Sequence, residues 1–191
     1  MNNNLLIVGA GVYGLVAKEI AEDMGCFGRI DFVDDNAENT PNGLKVIGKS
    51  TDIEALTKDY SSVIVAIGNP EARLGILKRI EKDTSCKIAT LISPRAYISP
   101  SAKVGTGCII EPMATVHTGC ILETGCVVSA GAVINHASVC LEGVHVDCNA
   151  TVSGYSVVPS CAKIGSGAVY ASDEKASVNE LFRPFPKRIA D

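Results

Sequence analysis

The feature that most constrains this chain is a six-residue ladder running from Ile98 to Tyr170. Stepping by six gives Ile98, Val104, Ile110, Val116, Leu122, Val128, Ile134, Cys140, Val146, Val152, Val158, Ile164 and Tyr170, with no step broken. Four residues after each of the first twelve stands a small or slim side chain: Ala102, Cys108, Ala114, Cys120, Cys126, Ala132, Ser138, Val144, Ala150, Ser156, Ala162 and Ala168. A fixed short period marks a solenoid, and a hexapeptide period specifies a parallel β-helix. One aliphatic and one small residue per hexad fill a narrow prism, and three hexads close a coil. Residues eighteen apart then stack at about 4.8 Å, the spacing of paired strands. The ladder predicts four coils.

Upstream of the ladder the pattern changes to alternating strands and helices. Residues 4–9 form an apolar run ending in glycine, which reads as a buried strand. The turn Gly9-Ala10-Gly11-Val12-Tyr13-Gly14 follows, then helical spacing from Leu15 to Met24, then Ile30–Val33 closing on Asp34 and Asp35. Further along, a helix is expected over Thr51–Asp59, capped by Ser50 or Thr51, and a buried strand over Ser62–Ile67 before Gly68. Asn69-Pro70 opens a helix to about Asp83, and Ile88–Ile92 reads as a last short strand. This alternation argues a small parallel, Rossmann-like α/β domain over residues 1–93, followed by a β-helix domain with a short C-terminal tail over 94–191.

A glycine-rich turn at a helix N-terminus suits phosphate, and an acid about twenty residues on suits a sugar hydroxyl. Ligands of such sheets sit at the carboxyl ends of the strands, which gathers Gly11, Tyr13, Asp34, Asp35, Gly68 and Asn69 around one crevice. A nucleotide-type ligand is the natural occupant; a tight turn that binds nothing is the alternative. If a nucleotide binds, the chain is either a nicotinamide dehydrogenase or a protein that holds a nucleotide-linked substrate for chemistry on the β-helix.

Composition removes several classes. A formal net charge of −4 without a basic block argues against a nucleic-acid surface. No run is long and apolar enough to span a membrane, and no export signal is visible, so a cytoplasmic protein is expected. Of the eight cysteines, Cys108, Cys120 and Cys126 occupy the small interior position of the hexad and are read as reduced core residues. Cys108 and Cys126 are eighteen apart and should stack.

All three histidines, His117, His136 and His145, lie on the ladder. His136 falls at the third hexad position, outside the prism, and the residue one coil later is Gly154. An outward imidazole beside a missing side chain suits a general base facing a cleft, although an ordinary surface histidine has the same spacing. His145 is expected near a corner, and His117, stacked over Asn135 and Ser153, is read as structural or interfacial. The histidine separations do not bring all three to one face, so no metal site is expected.

The order GAGVYG, FVDD, VAIGNPEAR, then hexads containing INHASVCLEGVHV and ATVSGYSV, resembles the sugar O/N-acetyltransferases of the sialic-acid O-acetyltransferase type. Within them it is most similar to the UDP-4-amino-sugar N-acetyltransferases of bacillosamine pathways. The resemblance spans nearly the whole chain. It implies a left-handed β-helix, a homotrimer with active sites between subunits, and acetyl-CoA lying along the β-helix. By position it implies His136 as catalytic base, with His145, Gly154 and Ser166 at acetyl-CoA. Gly11, Val12, Tyr13, Asp34, Asp35 and Gly68 would hold the nucleotide sugar.

The implied reaction is acetylation of the 4-amino group of a nucleotide-linked amino sugar; sialic-acid-type O-acetylation and a non-catalytic nucleotide-sugar-binding trimer are the alternatives. Two departures stand out. Family members often carry an acid directly after the catalytic histidine, where this chain has Ala137. The repeat also ends after Ala168: Ser172–Phe182 reads as irregular, and Arg183–Arg188 resembles a closing strand reached after one missing coil.

Overall fold

The computed structural model describes residues 3–56 and 58–177. The N-terminal sheet is fully parallel, in the order β2–β1–β3–β4, from β1 (Leu5–Val8), β2 (Ile30–Val33), β3 (Ser62–Val65) and β4 (Lys87–Ile88). Helix α1 (Val12–Met24) packs on one side of it and α3 (Pro70–Asp83) on the other. Two of the turn's glycines are demanded by this packing. A Cβ on Gly14 would stand 2.1 Å from the Gly9 carbonyl oxygen, and one on Gly9 would stand 2.6 Å from that of Ala66. The helix expected over Thr51–Asp59 is a 3-10 turn, Ser50–Asp52, running into the short α2 (Ile53–Leu56). Asp52 caps that turn by accepting from the Lys49 N–H at 2.8 Å.

The ladder forms a left-handed β-helix of fourteen two-residue strands on three flat faces. Each strand pairs in parallel with those eighteen residues before and after it, as Ile134 does with Val116 and Val152. The interior is a continuous column of the ladder residues and their small partners. Cys108, Cys120 and Cys126 lie inside it, each thiol donating to a backbone carbonyl oxygen at 3.0–3.2 Å. The eight cysteines are free thiols.

Both ends of the ladder differ from expectation. The apolar run Ile88–Ile92 is divided: Lys87–Ile88 closes the N-terminal sheet, while Leu91–Ile92 is already the first rung of the β-helix. At the far end Val169–Tyr170 still pairs with Thr151–Val152, so the repeat ends after Tyr170. The chain then folds back antiparallel at Lys175 against Ser156. The proposed closing strand Arg183–Arg188 lies outside the described residues.

The N-terminal domain sits on one face of the prism, here the docking face. Its outward residues Leu91, Ile109 and Val127 are wholly buried in the same cluster as Leu5, Ile7, Ala17 and Phe32. Burying side chains of this size contributes about 2 kcal/mol each. Arg73 of α3 completes the joint. It is 0% exposed, and its guanidinium donates to three carbonyls: Ile67 at 2.8 Å, Gly125 at 2.9 Å and Gly143 at 2.7 Å. Gly125 and Gly143 are turn residues of successive coils, both in the left-handed region (φ 73°). Burial holds the Arg73 pKa below the usual arginine value.

Removing the guanidinium strands three buried carbonyls, each costing about 1–3 kcal/mol. Arg73→Ala is expected to lower the urea midpoint by an amount equivalent to at least about 3 kcal/mol. Arg73→Lys should recover less than half of that loss, since one ammonium cannot span the forked sites. A midpoint for Arg73→Ala within error of the parent would remove this clamp from the account.

Candidate active site

The sheet's carboxyl edge and the docking face meet at the glycine-rich turn. Gly11 caps α1 in extended backbone (φ −75°) without a side-chain cap, and a Cβ there would meet nothing within 4 Å. Gly9 and Gly14 are therefore needed by the protein itself, whereas Gly11 borders open space at the free N–H groups of a helix. Val12 beside it is 69% exposed.

The two acids of the second strand are engaged by their own loop. Asp34 accepts from Ala10 N–H at 2.7 Å, Asn36 N–H at 2.8 Å and Ala37 N–H at 3.1 Å. Asp35 accepts from the N–H and the hydroxyl of Ser50, both at 2.8 Å. Those bonds hold the Asp35 carboxyl below the ordinary carboxylate range. The acids thereby shape the wall of a hollow of about 630 Å³ that also takes in Asn36, Glu38, Asn39, Lys45 and Lys49.

His145 belongs to this crevice, not to a corner of the prism. It is the outward residue of the rung His145–Val146 on the docking face, and it is 6% exposed. Its Nδ1 lies 3.3 Å from the Gly68 carbonyl oxygen and its Nε2 3.3 Å from the Ser129 hydroxyl. The Tyr13 ring is 6.3 Å away between centroids. Below Ser129 in the same stack, eighteen residues earlier, Glu111 is buried and accepts from the Ala130 N–H at 3.0 Å.

The Tyr13 phenol oxygen is screened from solvent and faces the Glu111 carboxylate. Burial, then the Glu111 charge, push its pKa well above the ordinary value. Burial likewise raises the Glu111 pKa. Sequence reasoning missed Glu111 and Ser129. The readable signal was the eighteen-residue register that stacks Glu111, Ser129 and Asp147 beside His145.

His136 lies elsewhere. It occupies the corner between the two other faces, opposite the docking face, and is solvent-exposed. Its ring sits over Gly154, where a Cβ would stand 3.0 Å from Nε2. The Tyr155 ring meets it edge-on at 5.1 Å and 88°, and Asn135 Oδ1 lies 2.8 Å from its Nδ1. Among the described residues the Gly154 N–H donates to no protein acceptor. The structure thus joins Tyr13, Gly68 and His145 in one place and His136 and Gly154 in another. Ser166 is exposed at a third position, beside Asp147. Among the described residues no group of histidine, cysteine and carboxylate side chains could hold a metal ion.

Burial is the largest influence on His145 and lowers its pKa, opposed by the hydrogen bond to Gly68 and reinforced by Arg73 and Lys163. The fold therefore holds a neutral ring that the unfolded chain would protonate. The stability this contributes is fully present above an ordinary imidazole pKa of about 6.5 and is lost as pH falls below it. The thermal midpoint should drop between about pH 7 and 5.5, and His145→Gln should flatten that drop. Equal slopes for parent and variant would contradict it.

A family model of the PglD N-terminal domain matches residues 4–80. No curated protein sequence matches the chain. Among solved structures, the acetyltransferase domain of PglB from Neisseria gonorrhoeae FA1090 is 32% identical, with a TM-score of 0.83, over 88% of this chain and 82% of that one. That domain has also been solved in complex with acetyl coenzyme A. PerB from Caulobacter crescentus, solved with CoA and GDP-perosamine, is 22% identical at a TM-score of 0.71 over 91% of each chain, a likeness of fold. With the N-terminal match, the 32% identity across both domains and the shared prism, the chain belongs to the PglD-like sugar acetyltransferases and is an acyltransferase.

Proposed function

We propose that the chain transfers an acetyl group from acetyl-CoA to the amino group of a nucleotide-linked amino sugar, with His136 as general base. The observation that carries this reading is the seating of His136 at Gly154. The solvent-exposed imidazole packs where a side chain would stand, 3.0 Å from its Nε2, and among the described residues the Gly154 N–H has no protein acceptor, which suits a donor to the oxygen of a thioester carbonyl. Acetyl-CoA supplies the activated acyl carbon. His136 Nε2 takes the proton from the sugar nitrogen as the new C–N bond forms, and the Gly154 N–H donates to the oxygen that gains charge. As the C–S bond breaks, the imidazolium returns its proton to the departing thiolate. The 32% identical PglB domain, solved with acetyl coenzyme A, supports this assignment of the acyl donor.

The nucleotide part of the substrate belongs in the crevice of Gly11, Val12, Tyr13 and Gly68, whose walls Asp34 and Asp35 shape. That crevice stands on the docking face, while His136 stands at the corner opposite it, with the filled prism between them. One chain cannot offer both to one substrate. The reading therefore requires a second copy to bring its crevice to His136, and a closed ring of three copies satisfies this for every chain at once. Ser166, exposed one coil beyond Cys148 on the stack of turns, lies along the surface where the long CoA tail would run. No described helix is long and apolar enough to cross a membrane, and free cysteines throughout suit a reducing compartment, so we place the protein in the cytoplasm.

Thiol release from acetyl-CoA with a panel of UDP-, GDP- and CMP-linked 4-amino sugars should show turnover with at least one of them. His136→Ala should lower kcat by about 10²-fold or more. Sugar binding without thiol release would instead identify a non-catalytic binding protein, and release only with hydroxyl acceptors would identify an O-acetyltransferase. A His136→Ala variant within a few-fold of the parent would end the role of His136 as base. Light scattering should give about three times the 19.9 kDa chain mass.

A further inference from the structure

The residue after His136 is Ala137, so no acid follows the imidazole in the chain. The ring is held instead by neutral groups. Asn135 Oδ1 lies 2.8 Å from the His136 backbone nitrogen and 2.8 Å from its ring Nδ1. The identity of that amide atom is fixed by the backbone, because an N–H can donate only to the oxygen of the side-chain amide. An amide oxygen accepts and never donates, so the bond to Nδ1 requires the hydrogen on Nδ1. Nε2 is then the nitrogen with the lone pair, and it is the one seated against Gly154.

The repeat explains why Asn135 is available for this. At several corners the third residue of the hexad turns its N–H out of the strand ladder and donates it to a side-chain oxygen. Cys148 N–H donates to Asp147, Ala130 N–H to Glu111 and Glu142 N–H to Glu123. At His136 the acceptor is the preceding Asn135, and its oxygen serves the ring as well. Tyr155 closes one side edge-on. Its backbone, left-handed at φ 62° like the same hexad position of other coils, donates to the His136 carbonyl oxygen at 3.0 Å and accepts from the Ala176 N–H at 3.0 Å.

We propose that Asn135 is the positioning residue of the reaction: through one carbonyl oxygen it fixes the His136 tautomer that leaves Nε2 free to accept the substrate proton. This inference rests on His136 acting as the base. A carboxylate in the same place would fix the same tautomer, so the task belongs to the acceptor atom and not to its charge.

The test is spectroscopic first. The intact protein, labelled with ¹⁵N in its three histidines, is measured near pH 8.5, about two units above the ordinary imidazole pKa, by two-bond ¹⁵N–¹H correlation. The signal lost in His136→Gln identifies His136. It should show the Nδ1–H tautomer in the parent and in Asn135→Asp, and the Nε2–H tautomer or a mixture in Asn135→Ala. In steady-state kinetics Asn135→Ala should lose about 10–100-fold in kcat with the acetyl-CoA KM within about three-fold, and Asn135→Asp should recover most of that loss.

A parent in the Nε2–H tautomer, or an Asn135→Ala spectrum like the parent's, overturns the proposal whatever the kinetics. Loss of the tautomer in Asn135→Ala with kcat unchanged overturns its link to the reaction. Should His136→Ala prove fully active, the base assignment fails separately, and the spectra still decide whether Asn135 holds the ring.

Discussion

Everything functional here depends on where Arg73 pins one domain on the other. A buried guanidinium is costly unless its donors are met, and Arg73 meets them with the turn carbonyls of two successive coils and the end of its own domain's third strand. Helix α3 is thereby fixed along one edge of the prism, and Leu91, Ile109 and Val127 lock the sheet over the adjoining face. The consequence is a crevice held rigidly against the β-helix, with His145 and Ser129 as its floor. The same rigidity fixes the distance between that crevice and His136. The prism interior is closely packed, so neither can move toward the other within one chain.

The β-helix contributes a repeating frame whose exceptions carry the chemistry. At four of its corners an N–H that the ladder leaves out meets a side-chain oxygen. Asn135 and Gly154 are the two corner positions at which that pattern acquires a second consequence. At Asn135 the acceptor also orients a ring; at Gly154 the N–H has no protein acceptor among the described residues and the side chain is missing. Glu111, Ser129 and Asp147 form the corresponding stack on the docking side, where burial has turned ordinary corner residues into a polar floor beneath Tyr13 and His145.

The ladder, the parallel N-terminal sheet and the crevice at its carboxyl edge were legible because each rests on periodicity or on turn chemistry, both local. What escaped depends on which face an outward residue meets. His145 and Lys163 occupy the same outward position on successive rungs, yet one is buried by the N-terminal domain and the other is exposed. The stripe Leu91, Ile109 and Val127, apolar at an outward position with eighteen-residue spacing, announces that covering. The first rung was hidden inside the apolar run Ile88–Ile92, although Ile92 and Ala96 continue the ladder by one step. Arg73 shows itself as the lone cation on the buried stripe Pro70, Leu74, Leu77 and Ile80 of its helix.

The central claim is that one chain's His136 serves a nucleotide sugar held by another chain, and mixed oligomers test it directly. Gly11→Trp fills the crevice from a backbone that tolerates a side chain, and His136→Ala removes the base; each should be inactive alone. Refolded together in equal amounts, random threefold rings should regain about one quarter of the parental activity, since a quarter of their sites pair an intact His136 with an intact crevice from a neighbour. No recovery in rings shown to be mixed would place both halves of the site in a single chain and contradict the account.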